Sequence, residues 1–146
     1  MTERTARAVW EGTLIEGHGQ IVETTSKALP ELPVTWASRT EAPSGRTSPE
    51  ELLAAAHAAC YAMALSNTLA EAGTPAERLE VAATCAFNPV GAGWKVTSMD
   101  LAVTGTVAGI DQADFDQLAR KGEQGCPISN AIRGNVEIRL TAELSG

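Results

Sequence analysis

The sequence predicts an α+β fold, antiparallel sheets with a long buried central helix. Three observations predict it. Period-two apolar alternation recurs through the second half of the chain, most cleanly where Val136, Ile138, Leu140, Ala142 and Leu144 alternate with Glu137, Arg139, Thr141 and Glu143. A stretch of helix formers from 49 to about 72 carries helix punctuation at both ends. The predicted order, βββ-α-ββ-αα-β, groups the helices on one side of antiparallel sheet. At 146 residues the chain fits a single domain, 1–146, with a sizeable core.

Residues 6–16 and 19–26 read as strands joined by the turn Glu16-Gly17-His18-Gly19. Pro30 and Pro33 lead into a third short strand at about 34–40, and Pro43-Ser44-Gly45-Arg46-Thr47-Ser48 is a loop. The helix starts strongly: Ser48 can cap it, Pro49 suits its first position, and Glu51 completes a capping box. Gly73 and Pro75 end it. From Leu52 to Leu65 only His57 and Tyr61 carry nitrogen or oxygen, so this stretch should be buried on all sides, within the sheet's curl or against a second subunit. Residues 78–88 alternate, with Val81, Ala83, Cys85 and Phe87 on one face. Pro89-Val90-Gly91-Ala92-Gly93 turns the chain into a strand at 94–107 with Met99, Leu101, Val103 and Val107 inward. Asp111 can cap a helix at about 112–122, with Phe115, Leu118 and Ala119 on its apolar side. Gly125-Cys126-Pro127 restarts a short helix through about Ile132, before the last strand.

The net charge of −7 is spread along the chain and argues against a polyphosphate partner, so no nucleic acid is expected. The polar N-terminus and the lack of an apolar run near 18 residues predict no signal peptide and no membrane association, and a cytoplasmic protein. In a reducing compartment a lasting structural disulfide is improbable and no CxxC spacing occurs, so each of the three cysteines is either inert or redox-active.

Cys85, in register with Val81 and Phe87, reads as core packing. Cys126 precedes Pro127 and so occupies the capping position of a helix, where backbone N–H groups and the positive helix end stabilise a thiolate. From the residues alone it ranks as the most reactive thiol. Cys60 lies mid-helix, where burial raises a thiol's pKa unless a cation is brought to it. Arg39 and Arg46 flank the loop entering that helix and are the candidates. His57, one turn before Cys60, reads as a buried, hydrogen-bonded histidine rather than a base, and His18 as solvated. Glu51 is used by the capping box, whereas Glu50 has no structural duty.

The segment Thr47-Ser48-Pro49-Glu50-Glu51-Leu52-Leu53-Ala54-Ala55-Ala56-His57-Ala58-Ala59-Cys60 resembles the signature of the OsmC/Ohr family of hydroperoxide reductases. Gly125-Cys126-Pro127-Ile128-Ser129 is similar to that family's second cysteine motif, in its OsmC branch. Trp10-Glu11-Gly12, Ser38-Arg39-Thr40-Glu41 and Gly109-Ile110-Asp111 extend the likeness over nearly the whole chain. The resemblance implies an OsmC-like fold and a peroxidase in which Cys60 attacks the peroxide and Cys126 resolves. Arg39 and Glu50 match the residues that activate the attacking thiol, although Arg46 departs from the pattern in its loop. The implied substrates are organic hydroperoxides, the reductant a dithiol such as a lipoyl-bearing protein, and the setting oxidative or osmotic stress, with no metal or organic cofactor.

Helix geometry adds a homodimer to this expectation. Glu50 and Cys60, ten residues apart, are separated by about 15 Å along one helix and point roughly 80° apart. If both serve one site, they come from two subunits, in an intertwined homodimer with an antiparallel pairing of this helix with its copy. The alternatives are a metal-binding domain using Cys60, Cys126 and His57, and a non-catalytic ligand carrier of the same fold.

Overall fold

The computed structural model describes residues 1–145, and the chain divides into two compact units, 1–52 and 53 onward. The first unit is an antiparallel sheet of β1 (Ala6–Glu11), β2 (His18–Thr24) and β3 (Leu32–Val34), in that order. The first strand is five residues shorter than the expected 6–16. Gly12 takes φ +90 and the chain turns there, closed by the Gly17 N–H donating to the Thr13 carbonyl at 2.8 Å.

The expected strand at 34–40 is instead a short helix, α1 (Trp36–Thr40). Thr35 caps it by accepting the Ser38 N–H at 3.1 Å, while Ser38 Oγ accepts the Thr35 N–H at 3.1 Å. This reciprocal box satisfies two N–H groups that a strand would have needed a neighbour to satisfy. Ser38 Oγ also donates to the Thr47 carbonyl at 2.9 Å and pins the following loop.

The long helix α2 (Pro49–Glu71) begins where expected. Ser48 Oγ accepts the Glu51 N–H at 3.1 Å, but the Glu51 carboxylate accepts from Thr47 Oγ1 at 2.7 Å rather than closing the box. Its burial follows one stripe, His57, Tyr61, Leu65 and Leu69, at the four-residue spacing of a helix face. Ala55, Ala56, Ala59 and Met63 are exposed within the chain, so the helix is not buried around its circumference. Its length and hydropathy would suit a membrane span, more so than the run-length reading allows, because alanine carries the apolarity. Two buried polar contacts tie it to protein instead, Tyr61 Oη donating to the Ala119 carbonyl at 2.8 Å and His57 meeting Ser129.

The second unit is a sheet of β4 (Ala76–Val90), β5 (Gly93–Val107) and β6 (Glu137–Leu144), in that order. β4 and β5 are antiparallel around Gly91 and Ala92, but β6 runs parallel to β5, pairing Met99 with Ile138 and Leu101 with Leu140. The sheet is therefore mixed rather than purely antiparallel. The crossover is α3 (Gln112–Gln124) followed by α4 (Pro127–Ile132), which returns the chain to the same end of the sheet. Asp111 caps α3, its carboxylate accepting the Asp114 N–H at 2.8 Å. Met99, Leu101, Val103 and Val107 of β5 form one core with Tyr61, Leu65, Leu69, Phe115, Ala119, Cys126 and Val136. Burial of each large apolar side chain there contributes about 1.5–3 kcal/mol. Gly122 lets α3 approach α2 closely, since a Cβ there would stand 3.0 Å from the Leu65 Cα.

Candidate active site

Two i, i+3 pairs face each other in the second unit. On α2, His57 and Cys60 share a helix face; on α4, Cys126 and Ser129 do. All three cysteines are reduced, with Cys126 fully buried and Cys60 and Cys85 half-buried. Cys85 sits on β4 opposite Met99 of β5. Cys126 lies near enough to Cys60 to act on its thiol.

Cys126 is the N-cap of α4, as the Cys-Pro pair predicts, and its sulfur accepts the Ser129 N–H at 3.5 Å. The adjacent Ile128 N–H is near enough to Cys60 to favour its thiolate. One helix start therefore turns N–H groups toward both sulfurs. Burial pushes the Cys60 thiol above its ordinary pKa, the Ile128 N–H opposes that shift, and the neighbouring Cys126 reinforces it. Within this unit the balance favours a protonated Cys60, which is the situation that calls for a cation.

His57 and Ser129 form the second rung, with Nε2 2.6 Å from Oγ and both residues fully buried. Desolvation holds the His57 ring below the ordinary histidine pKa; Glu123 opposes this and Arg133 adds to it. Its Nδ1 is buried without a hydrogen-bond partner, so the neutral ring fits the site better than the imidazolium. Glu123 in turn pairs with Arg133 at 2.9 Å. Sequence reasoning identified a hydrogen-bonded His57 but not its partner, and it missed Ser129 and Ile128, whose roles depend on a pairing 72 residues away in sequence.

Arg39 and Glu50 meet in the first unit. Arg39 donates from Nη2 to Oε1 at 2.6 Å and from Nε to Oε2 at 3.2 Å, a fork-on-carboxylate geometry. The guanidinium also lies over the Trp36 ring, 5.6 Å from its centre. Arg46, the other candidate, has an exposed side chain in the loop. Arg39 borders an apolar recess of about 270 Å³ framed by Trp10, Leu14, Val34 and Trp36. No cluster of three or more metal-ligating side chains occurs among the described residues, so the metal-binding alternative finds no donor set there.

The second unit thus holds two reduced thiols beside each other at a helix start. Residues 42–141 match the model of the OsmC-like protein family. The chain is 38% identical over 132 residues to Peroxiredoxin OsmC of Escherichia coli, covering 90% of this chain and 91% of that one. It is 33% identical over 97 residues to the Organic hydroperoxide resistance protein of Xanthomonas axonopodis pv. citri, covering 65% and 66%. Among solved structures it is similar to an organic hydroperoxide resistance protein from Elizabethkingia anophelis, with a TM-score of 0.74, 26% identity and 99% coverage of both chains. The chain belongs to the OsmC-like family.

Proposed function

We propose that this protein is a thiol-dependent peroxidase that reduces organic hydroperoxides to alcohols. The observation that carries the reading is the adjacency of reduced Cys60 and Cys126 at the start of α4 in an OsmC-like chain. The Cys60 thiolate attacks the outer oxygen of ROOH; the O–O bond breaks, RO⁻ takes a proton and leaves as ROH, and Cys60 becomes a sulfenic acid. Cys126 displaces the sulfenic hydroxyl as water and closes a disulfide. An external dithiol, a lipoyl-bearing protein in this proposal, returns two electrons and two protons and is itself oxidised to a disulfide. No organic cofactor or metal enters this sequence.

Arg39 is the cation that offsets the burial of Cys60, and Glu50 holds the guanidinium in orientation. The whole chain, 1–146, works as one OsmC-like domain within a cytoplasmic homodimer. Arg39 and Glu50 of one subunit serve Cys60 of the partner subunit. Two observations support that sharing: the axial separation of about 15 Å between positions 50 and 60 of one helix, and the open apolar face of α2 at Ala55, Ala56, Ala59 and Met63. The apolar recess beside Arg39 suits an alkyl or aryl R group better than hydrogen peroxide.

Steady-state turnover with cumene hydroperoxide, a fatty-acid hydroperoxide and hydrogen peroxide, with dihydrolipoamide as reductant, tests the reading. Faster turnover with the two organic peroxides is expected. A protein that consumes none of the three overturns it.

A further inference from the structure

The two facing pairs make a ladder with two rungs. Cys60 and Cys126 form the redox rung, and His57 and Ser129, one helical turn away on each helix, form a hydrogen-bonded rung. The helix carrying Cys126 is short, Pro127–Ile132, and a helix of this length does not hold its own position. Its far end is tied through Arg133, which donates to the Glu123 carboxylate at 2.9 Å. Near the sulfurs, α4 is hydrogen-bonded to α2 by the 2.6 Å contact between Ser129 Oγ and His57 Nε2. Both residues are fully buried, so water cannot replace a partner that is removed. Ser129 is doubly committed, because its N–H also donates to the Cys126 sulfur at 3.5 Å.

We propose that the His57–Ser129 hydrogen bond is a register lock for the redox pair: it keeps the start of α4 against α2, so that Cys126 faces Cys60 and the disulfide closes. His57 and Ser129 are positioning residues for resolution and not for the attack on peroxide. The attack needs the Cys60 sulfur, the peroxide oxygen and the Arg39 cation, and no side chain of α4. Closure needs the Cys126 sulfur to move in to a bond of about 2.05 Å along a restricted direction. In that step the Cys126 sulfur supplies the electron pair of the new S–S bond, the S–O bond of the sulfenic acid breaks, and the thiol proton leaves with the hydroxyl as water. The inference rests on the peroxidase reading for its substrate and on the geometry alone for the pairing.

The test compares Ser129→Ala, His57→Leu and His57→Gln with the unaltered protein. Single turnover with one equivalent of cumene hydroperoxide reads sulfenic acid formation and disulfide closure separately. Ser129→Ala and His57→Leu should form the sulfenic acid at a rate within about threefold of the unaltered protein. Closure should slow by at least about tenfold, the net worth of one buried hydrogen bond, and dimedone should capture the waiting sulfenic acid on Cys60. His57→Gln, whose amide nitrogen can take the place of Nε2, should recover most of the closure rate. In a second arm, equilibration with glutathione and no peroxide should show the Cys60–Cys126 disulfide weakened about tenfold in both broken-rung variants, or about 30 mV. Closure within about threefold of the unaltered rate in Ser129→Ala overturns the lock, as does equal slowing of both steps. Ser129→Ala removes a single oxygen and decides the matter even if His57→Leu fails to fold. An unaltered protein that consumes no peroxide would refute the peroxidase reading, while the glutathione arm would still test the lock.

Discussion

The Arg39–Glu50 pair is unequally buried, with side-chain exposures of 29% and 8%, and the inequality predicts how its deletion behaves. Arg39→Ala leaves a carboxylate without its two forked hydrogen bonds in a place water scarcely reaches. Breaking a buried pair in this way costs about 3 kcal/mol. Glu50→Ala leaves a guanidinium that keeps partial solvent access and its contact with Trp36, and costs about 1 kcal/mol. The double variant removes the stranded charge and should cost about 1–2 kcal/mol, leaving a coupling of roughly 2–3 kcal/mol between the positions. Urea unfolding at one fixed protein concentration reads these values, because association would otherwise add to them. Peroxidase activity should not follow the same order. On the proposed role of Arg39, all three variants should slow the first step, and the double variant should stay slow because it lacks the guanidinium. Equal costs for the two single variants, with a fully additive double, would refute the reasoning from unequal burial. An Arg39→Ala variant with unaltered peroxide reactivity would remove Arg39 from the site.

Three further outcomes follow from the same structure. Burial lowers the His57 pKa from its ordinary 6.5, so the unfolded chain binds that proton more readily than the native one. The stability this group contributes is complete above about 6.5 and is lost as the pH falls, by up to about 1.4 kcal/mol per pH unit between the two pKa values. Glu123 and Arg133 are the charges facing the ring, and His57→Gln should flatten the acid limb of a thermal-denaturation pH series without moving the alkaline limb. Gly122→Ala should destabilise by about 1–3 kcal/mol, since the added Cβ meets the backbone of Leu65 at 3.0 Å and backbone cannot swing aside; an unchanged melting temperature would contradict the close α2–α3 approach. Mixing inactive Cys60→Ser with slowed Glu50→Ala subunits by joint refolding should restore one fully working site per heterodimer, and no gain in verified heterodimers would sink the shared site.

Local signals carried far in this chain. The Ser48-Pro49 start of α2, the Asp111 cap and the Cys126-Pro127 helix start all occur at the expected places, because capping is decided within four residues. The inward face of β5 and the alternation of β6 were equally legible, since period two follows from strand geometry. What was illegible was relational. Pro30 and Pro33 point to extended chain through 34–40, whereas the signal for α1 is the Thr35 and Ser38 capping pair. The parallel pairing of β6 depends on the path of the crossover, which no strand announces. The candidate site divides in the same way. The pairing of Arg39 with Glu50 followed from family likeness, whereas the tie between His57 and Ser129 needed the fold, because its two ends are distant in the chain.

Peptide mapping after a single equivalent of cumene hydroperoxide decides whether Cys60 attacks and Cys126 resolves. Attack by Cys60 and resolution by Cys126 should leave a Cys60–Cys126 disulfide with Cys85 still reduced, and in Cys126→Ser a dimedone adduct on Cys60. A disulfide that includes Cys85, or an adduct on Cys126 in a Cys60→Ser protein that still consumes its first equivalent of peroxide, would contradict it.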